Sequence, residues 1–591
     1  MLPAVTATAI YTSNAAFSLS GSNVAIVGPS SAGPLVPVPI TQPSQAITTF
    51  GGGPLPQWCA KAVRTKRLPV LAVRAASTAA SAFSAVSRTT GHGTSAVTVG
   101  GSSATTVNAL VGVLVYTGGT IGSAGITYRV TTDGGKTFGV TTSLGTANSI
   151  VVTLGSGNLT LEFAAGTLVA GELIQVTASV LAAGTYDDLD TSAYPGGTSN
   201  AVASATAGTY PDDDYELVIE FLQGGTLGTS GISYRTSLAN GRTASDWGLP
   251  QNLGTSLAVV FPSTGGASLT LGTAGQTIAT GAVLRCRTYA PNFNVGSITT
   301  ALEALFKSTA PWEIALIAGP VDASMCLAID AIFAANYAAT PNGEKAWIAS
   351  VRMPLAGETE TEYRSYCQTV ATAARSCYYG MVFAGDCRTT SAITGFLHKR
   401  PAALLGGIEQ ASVTPQIDIA RTDRPGLGCQ LSDDNGNPDC HDESISPGLD
   451  DMGYATLRSQ PEGVYVTNPR IFSPAGTNVE MFPHRWVLNL HTRVAKNFFR
   501  KVLSNDLFAG RDGRILESDA KRLERGVNDA EEDTLKNPGY ISAQLVTVSR
   551  TDQLLGVSPP TLTVSGQVQP KIYPKMINYT DQIVVSIANP R

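Results

Sequence analysis

The apolar positions change their period several times along the chain, and each change marks a different kind of element. In VLNLHTRVAKNFFRKVLSNDL, Val487, Leu490, Val494, Phe498 and Val502 recur at helical spacing and predict one apolar stripe. A second helical pattern follows, with Leu516, Ala520, Leu523, Val527 and Ala530 on one face and Ser518 as the expected N-cap. The period then switches. Tyr540–Arg550, Thr561–Lys571 and Gln582–Ala588 are rich in Val, Ile and Thr and read as strands. A terminal strand such as IVVSIANPR can pair in its own sheet or be donated to a neighbour's sheet edge.

At the other end, residues 1 to about 22 are small, polar and β-branched without helical period, and read as an extended arm or a disordered tail. Asn23–Gly28 is a short apolar strand broken by Pro29 and Gly33-Pro34. Pro54–Arg67 predicts a helix carrying Trp58 and Val63, and Leu68–Ala75 a buried strand. This β-turn-α-β opening resumes after Val295. Ser297 is the expected cap of a helix with Ile298, Leu302, Leu305 and Phe306. Strands are expected at Trp312–Ala318, Ala346–Val351 and Tyr379–Ala384, and helices at Asp322–Ala338, Glu358–Ser376 and Thr389–Lys399. Strands alternating with helices predict a largely parallel sheet with right-handed crossovers.

Between Ser77 and Asn292 no helix is predicted. Gly, Thr, Ser and Ala dominate, and short alternating runs repeat. GTIGSAGITYR at Gly119–Arg129 matches GTLGTSGISYR at Gly225–Arg235, and Leu159–Ser179 matches Leu269–Tyr289 at nearly the same offset. Whole modules are therefore duplicated. Many short strands with Gly and Asp turns predict two tandem all-β sandwiches inserted into the α/β domain. In ITYRV and ISYRT, Ile and Tyr face away from Thr/Ser and Arg. Asp187–Asp214, with YPGG and PDDD, reads as the hinge between the modules.

Composition narrows the function. A chain of 591 residues exceeds one ordinary core. With 14 % charged residues and 61 glycines it suits β-rich modules and large subunit contacts. A net charge of −5 argues against general nucleic-acid binding, which needs a basic face. No basic n-region with an apolar core opens the chain, so no signal peptide is expected, and no run of about 20 apolar residues predicts a membrane span. The eight cysteines form no CxxC pair; they read as buried free thiols, or as disulfides made after assembly or lysis. DDNGNPDCHDE at Asp433–Glu443 reads as a solvated surface loop; its sharper alternatives are a cation held by its acidic side chains or a soft metal at Cys429, Cys440 and His441. His484 and His491 read as packing or surface groups. The turns after the core strands match neither GxGxxG nor GxxxxGK[ST], and no HExxH or GxSxG occurs. No catalytic residue, cofactor or metal is assigned.

The helix, helix, strands and free terminal strand of the last quarter resemble the C-terminal domain of contractile bacteriophage tail sheath proteins. The preceding RSQPEGVYVTNPRIFSPAGTNVEMFPHRW is similar to that family's extended strand leading into a helix after a basic residue, with Gly463–Asn468 and Arg485 in those places. NVAIVGPSSAGPLVPVPITQPSQAITTFGGG resembles its opening segment. The resemblance covers both ends and plausibly the middle, but not residues from about 80 to 292. It implies a structural subunit, not an enzyme. Such a subunit assembles as hexameric rings stacked in a helical sheath around a tail tube protein. It meets baseplate and tail terminator proteins, contracts to drive the tube through the host envelope for genome delivery, and is made in the host cytoplasm to end in the virion.

The expected division is an arm at 1–22, α/β domain at 23–76 and 293–483, sandwiches at 77–186 and 187–292, a C-terminal helix-strand domain at 484–580 and a terminal arm strand at 581–591. The arm strands expected to link subunits carry Leu2, Val5, Ile10, Ile583, Val584, Val585 and Ile587, with Tyr540–Arg550 and Thr561–Lys571 as the acceptor edge. Arg493, Lys496, Arg500 and Lys501, with LESDAKRLER, are tube-facing candidates under the resemblance, or an ordinary solvated helix face. A multidomain adhesin or glycan-binding protein using the sandwiches is the alternative, and an α/β enzyme with accessory sandwiches a third.

Overall fold

A computed structural model describes residues 24–572, except 67–68, 78, 84–85, 90, 102–108, 133–136, 155–156, 183, 188, 190–200, 202, 207–209, 263, 340–342, 434–435, 437, 475, 478, 503–505 and 558–559. The expected arm residues Leu2, Val5, Ile10, Ile583, Val584, Val585 and Ile587 lie outside the described residues.

The protein is a mixed α/β multidomain chain. Its central sheet runs Val38–Ile40, Val70–Arg74, Val24–Gly28, Ile314–Pro320, Ala346–Ser350, Gly380–Phe383. All neighbours are parallel except the edge strand Val38–Ile40, which pairs antiparallel. Val24–Gly28 is buried throughout, because a parallel sheet covered on both faces hides both sides of a strand. Strand alternation sorts these side chains into two cores. Val24, Ile26, Leu316 and Ile348 pack with helices α1 (Pro43–Phe50) and α2 (Pro54–Lys66). Ala25, Val27, Ile317 and Ala349 face the opposite core, with α3 (Val295–Lys307), α4 (Ala323–Ala339) and α5 (Glu360–Ala374).

Several local expectations need correction. The helix expected at Thr389–Lys399 is instead an antiparallel hairpin, Asp386–Thr390 with Leu397–Pro401. Its turn is fixed by Ser391, whose hydroxyl accepts from Ile393 and Thr394 amides, and by Gly395 at φ 78. The helix, α6 (Ala402–Ser412), starts only after Pro401. Ser297 is not the cap of α3; Asn294 is, with Ser297 answering it three residues on. Ser518 lies inside the first turn of α8 (Glu517–Glu531), whose N-cap is Leu516. Helix α1 was not anticipated.

The inserted region contains two antiparallel units of the same topology. In the first, strands 142–143, 127–131, 109–117, 173–182 and 79–83 form one path, 149–154, 157–163 and 97–99 a second, and 167–168 with 119–120 a third. The second repeats this with 251–252, 233–237, 216–223, 283–289 and 185–186, then 258–260, 268–270 and 204–205, then 277–278 with 225–226. Each unit has its own apolar cluster, around Val113 and Leu161 in one and Ile219 and Leu269 in the other. Thr185–Tyr186, at the end of the first expected module, pairs in the second unit's sheet.

The C-terminal part packs α7 (Phe482–Val502) and α8 against an antiparallel pair, Ile541–Val548 with Val564–Pro570. No helix among the described residues is long and apolar enough to cross a membrane. All eight cysteines are free, and all but Cys429 are buried.

Candidate assembly surface and the crevice above the sheet

Taking the parallel strands in chain order, the sheet reads 2-1-3-4-5. In such sheets ligands enter the crevice at the carboxyl ends of the first and third strands, where the order reverses. Here the protein fills that crevice itself. Asp213, from the second inserted unit, forms a bidentate pair with Arg400 at 2.8 and 3.0 Å. Both side chains are buried. Burial pushes the Asp213 carboxyl up to about 7, against the pull of Arg400. The neighbouring Asp212 accepts a hydrogen bond from Tyr215 at 3.0 Å and sits over Gly52, where a Cβ would lie 1.7 Å from its Oδ2. What remains is a cavity of about 70 Å³, too small for a nucleotide. PDDD is thus an anchor rather than part of a free hinge.

A larger cavity of about 440 Å³ lies between the second unit and the core. Its walls are charged but paired. Arg388, 1 % exposed, holds Glu216 at 2.5 and 2.8 Å and also Asp439. Arg242 joins Asp439 at 2.7 Å, and Lys399 reaches the same carboxylate at 3.4 Å. Burial would raise the Asp439 carboxyl, but Arg388 and Lys399 hold it down at about 2. His441 lies between Glu360, at 2.6 Å, and Glu443, at 3.0 Å. Burial would lower its pKa, yet these hydrogen bonds carry it up to about 9.

The stretch expected to be a solvated loop is therefore tucked in at its end: Cys440, His441 and Asp442 are all buried. Burial pushes the Cys440 thiol far up, so it is held as a neutral thiol. No group of His, Cys, Asp and Glu among the described residues has the arrangement of a metal site. Arg388 and Arg400 were missed by sequence reasoning. Their signal was two short cationic runs, DCRTT and LHKRP, that flank the segment Thr389–Lys399 expected to be a helix, together with three consecutive aspartates in a chain poor in charge.

In the C-terminal part, the predicted stripe of α7 is present: Val487 and Leu490 are buried, and Val494, Phe498 and Val502 pack partly. Two of the four tube-facing candidates are engaged with carboxylates of the α/β domain. Arg493 is 4 % exposed and clamps Glu313 at 2.5 and 2.9 Å. Lys496 reaches buried Glu344 at 2.5 Å and the Tyr337 carbonyl at 2.7 Å. These cations fasten α7 to the α/β domain, because the buried Glu344 carboxylate needs a counter-charge. Arg500 and Lys501 are exposed at the far end of the helix.

Beneath the terminal strand pair, His491 meets Glu531 at 3.0 Å. Gly566 lets the strand cross this pair, since a Cβ there would lie 2.6 Å from His491 Nε2. His484 Nε2 lies 3.3 Å from the Lys571 carbonyl. Strands 541–548 and 564–570 pair with each other, and among the described residues neither has a further strand beside it. Leu545 is half-exposed, and Ile572, at the mouth of the last strand, is 85 % exposed.

No family model matches the chain, and no curated protein matches it. Among solved structures, it is similar to the sheath tail protein of Desulfitobacterium hafniense at 9 % identity, covering 93 % of this chain and 97 % of that one, with a TM-score of 0.39. The sheath tail protein of Listeria innocua gives 11 % identity, coverages of 93 % and 95 %, and a TM-score of 0.36. The sheath of an extracellular contractile injection system, in its contracted state, gives 12 % identity over 52 % of this chain and 77 % of that one, with a TM-score of 0.34. Structures of an anti-feeding prophage, its helical sheath in the contracted state and its baseplate, are also similar over about half of this chain, with TM-scores of 0.35 and 0.33.

Proposed function

We propose that the chain is a structural, non-enzymatic subunit of a contractile tail sheath, belonging to a phage virion or a phage-derived injection device. The observation that carries this reading is the pair of strands 541–548 and 564–570, which lacks a third strand at either edge among the described residues. An unpaired edge is a template for another chain. The same chain carries β-branched stretches near both termini, and the sequence of its last quarter resembles the sheath family. Donated strands around Leu2–Asn14 and Gln582–Ala588 would complete such a sheet between neighbours.

Ladder hydrogen bonds of this kind keep subunits joined while rigid domain faces exchange one packing for another, as contraction of stacked hexameric rings around a tube requires. Of the tube-facing candidates, we read Arg500 and Lys501, exposed at the end of α7, as the ones available to a tube, Arg493 and Lys496 being engaged with Glu313 and Glu344. The inserted units are two tandem β-sandwiches carried on the α/β domain. Baseplate and terminator proteins would set the two ends of the assembly, which forms in the host cytoplasm.

The test is negative-stain electron microscopy of the purified chain beside versions lacking residues 2–22 or 581–591. Striated tubes or rings are expected from the full chain. They should be lost in both deletions while circular dichroism and the melting profile stay unchanged. Normal sheaths from either deletion overturn the arm-linked mechanism.

A further inference from the structure

The two inserted units are copies, so each position in one can be compared with its counterpart in the other. Arg129 and Arg235 are such a pair, on equivalent strands. In the second unit Arg235 faces Glu220 across the strand pair and bonds it at 2.5 Å. Trp247 covers its other side at 4.4 Å. In the first unit Leu114 stands where Glu220 does. No carboxylate of the described residues forms an ion pair with Arg129; its Nε donates to the Thr141 hydroxyl at 2.8 Å.

The aromatic partner also changes. A bulge between Val115 and Thr117 turns Tyr116 outward, and its ring, 58 % exposed, lies 4.9 Å from the Arg129 guanidinium. Phe138 and Val140 occupy the places of Trp247 and Leu249. The register is fixed by the Gly139 amide donating to Val130 and the Gly248 amide donating to Thr236, both at 2.8 Å. Val140 and Leu249 are 85 % and 84 % exposed, so both copies keep a protruding apolar side chain at this place. Thr127 and Thr117, bonded hydroxyl to hydroxyl at 2.9 Å, border the patch.

We propose that this face of the first unit binds a saccharide carrying a negative charge. The guanidinium of Arg129, which has no carboxylate partner among the described residues, would take the carboxylate or phosphate, since charge-assisted pairs with Arg are the stronger hydrogen bonds. The open face of Tyr116 would take the C–H face of a sugar ring, and the threonine hydroxyls its hydroxyl groups. The second unit carries the same scaffold with the charge cancelled and the arginine covered, so it serves as an internal control.

The experiment measures retention of the full-length protein on immobilised polygalacturonate, phosphomannan and neutral dextran at low and physiological salt. Binding to one or both anionic polymers, not to dextran, is expected. Arg129→Ala or Tyr116→Ala should each weaken it by about tenfold or more, and Arg235→Ala should leave it unchanged. Polygalacturonate alone would identify a carboxylate ligand and phosphomannan alone a phosphate. Circular dichroism of each variant checks its fold, and Arg129→Lys, which keeps charge but loses the planar stack, should bind at an intermediate level. Retention on neither anionic polymer, equal retention on dextran, or an equal loss with Arg235→Ala overturns the proposal.

Discussion

His441 is a small test of how much one buried charge contributes. Its carboxylate neighbours, Glu360 and Glu443, carry its pKa from 6.5 to about 9 in the folded chain. The folded state thus holds the proton more tightly than the unfolded one. The associated stabilisation is present in full below about pH 6.5 and is lost as pH rises through 9, a change on the order of 3 kcal/mol. Denaturant unfolding of the parent should therefore show falling stability between pH 6.5 and 9.5. In His441→Gln that slope should flatten; an unchanged slope would mean other groups set it. The sequence displayed Cys440-His441 among acidic residues, but not that Glu360, 81 positions away, closes over the ring. A local pattern cannot report a partner brought in by the crossing of a distant helix.

At the scale of elements, the hairpin 386–401 ties the second inserted unit to the core through Arg388 and Arg400. Removing one member of a buried pair leaves a charge without its counter-ion, at a cost of about 3–5 kcal/mol. Arg400→Met should therefore lower unfolding stability by about that amount at pH 8 and by less at pH 6, where Asp213 can take up a proton. The double variant Arg400→Met/Asp213→Leu should recover most of the loss. Failure of the double variant to recover would show that the pair fixes the seam rather than balancing two charges.

The core strands and most helices were legible in the sequence because long apolar runs and helical spacing dominate there. The hairpin was misread because Arg388 and Arg400, on opposite faces of it, meet carboxylates of the inserted unit and not water, so neither strand showed one polar and one apolar face. Arg493 and Lys496 failed in the same way: placed off the apolar stripe of α7, they read as solvent-facing although Glu313 and Glu344 receive them.

For the whole molecule, the two inserted units differ in how they are held. The second is fastened by Asp213, Glu216 and Arg242. The described side-chain hydrogen bonds and ion pairs of residues 79–182, such as Arg88 with Glu172 and Thr94 with Thr167, close within the first unit. Replacing residues 79–182 by a short Gly-Ser linker should then leave the melting temperature of the remainder within a few degrees in calorimetry. A large drop would reveal support passing from the first unit to the core. The duplication was legible from two repeated segments, and the topology agrees with it apart from the short extra strand Ser87–Arg88 in the first unit. That the second copy is fastened to the core was not legible, since it rests on Asp213, Glu216 and Arg242, whose partners lie far away in the sequence.

The insertion also has a consequence for how the chain is made. Val24–Gly28 and Val70–Arg74 leave the ribosome before their sheet can be completed, for Val24–Gly28 must pair with Ile314–Pro320, about 240 residues beyond Arg74. At roughly 5–20 residues per second, that partner arrives some 10–50 s later. During this interval the wholly apolar strand Val24–Gly28 waits with one of its two edges unpaired. The inserted units, whose pairings are mostly local, can close in the meantime. Synthesis slowed within the insert would lengthen that exposure, and nascent-chain accessibility of Cys59, buried on α2 once the sheet is complete, would time the moment it ends.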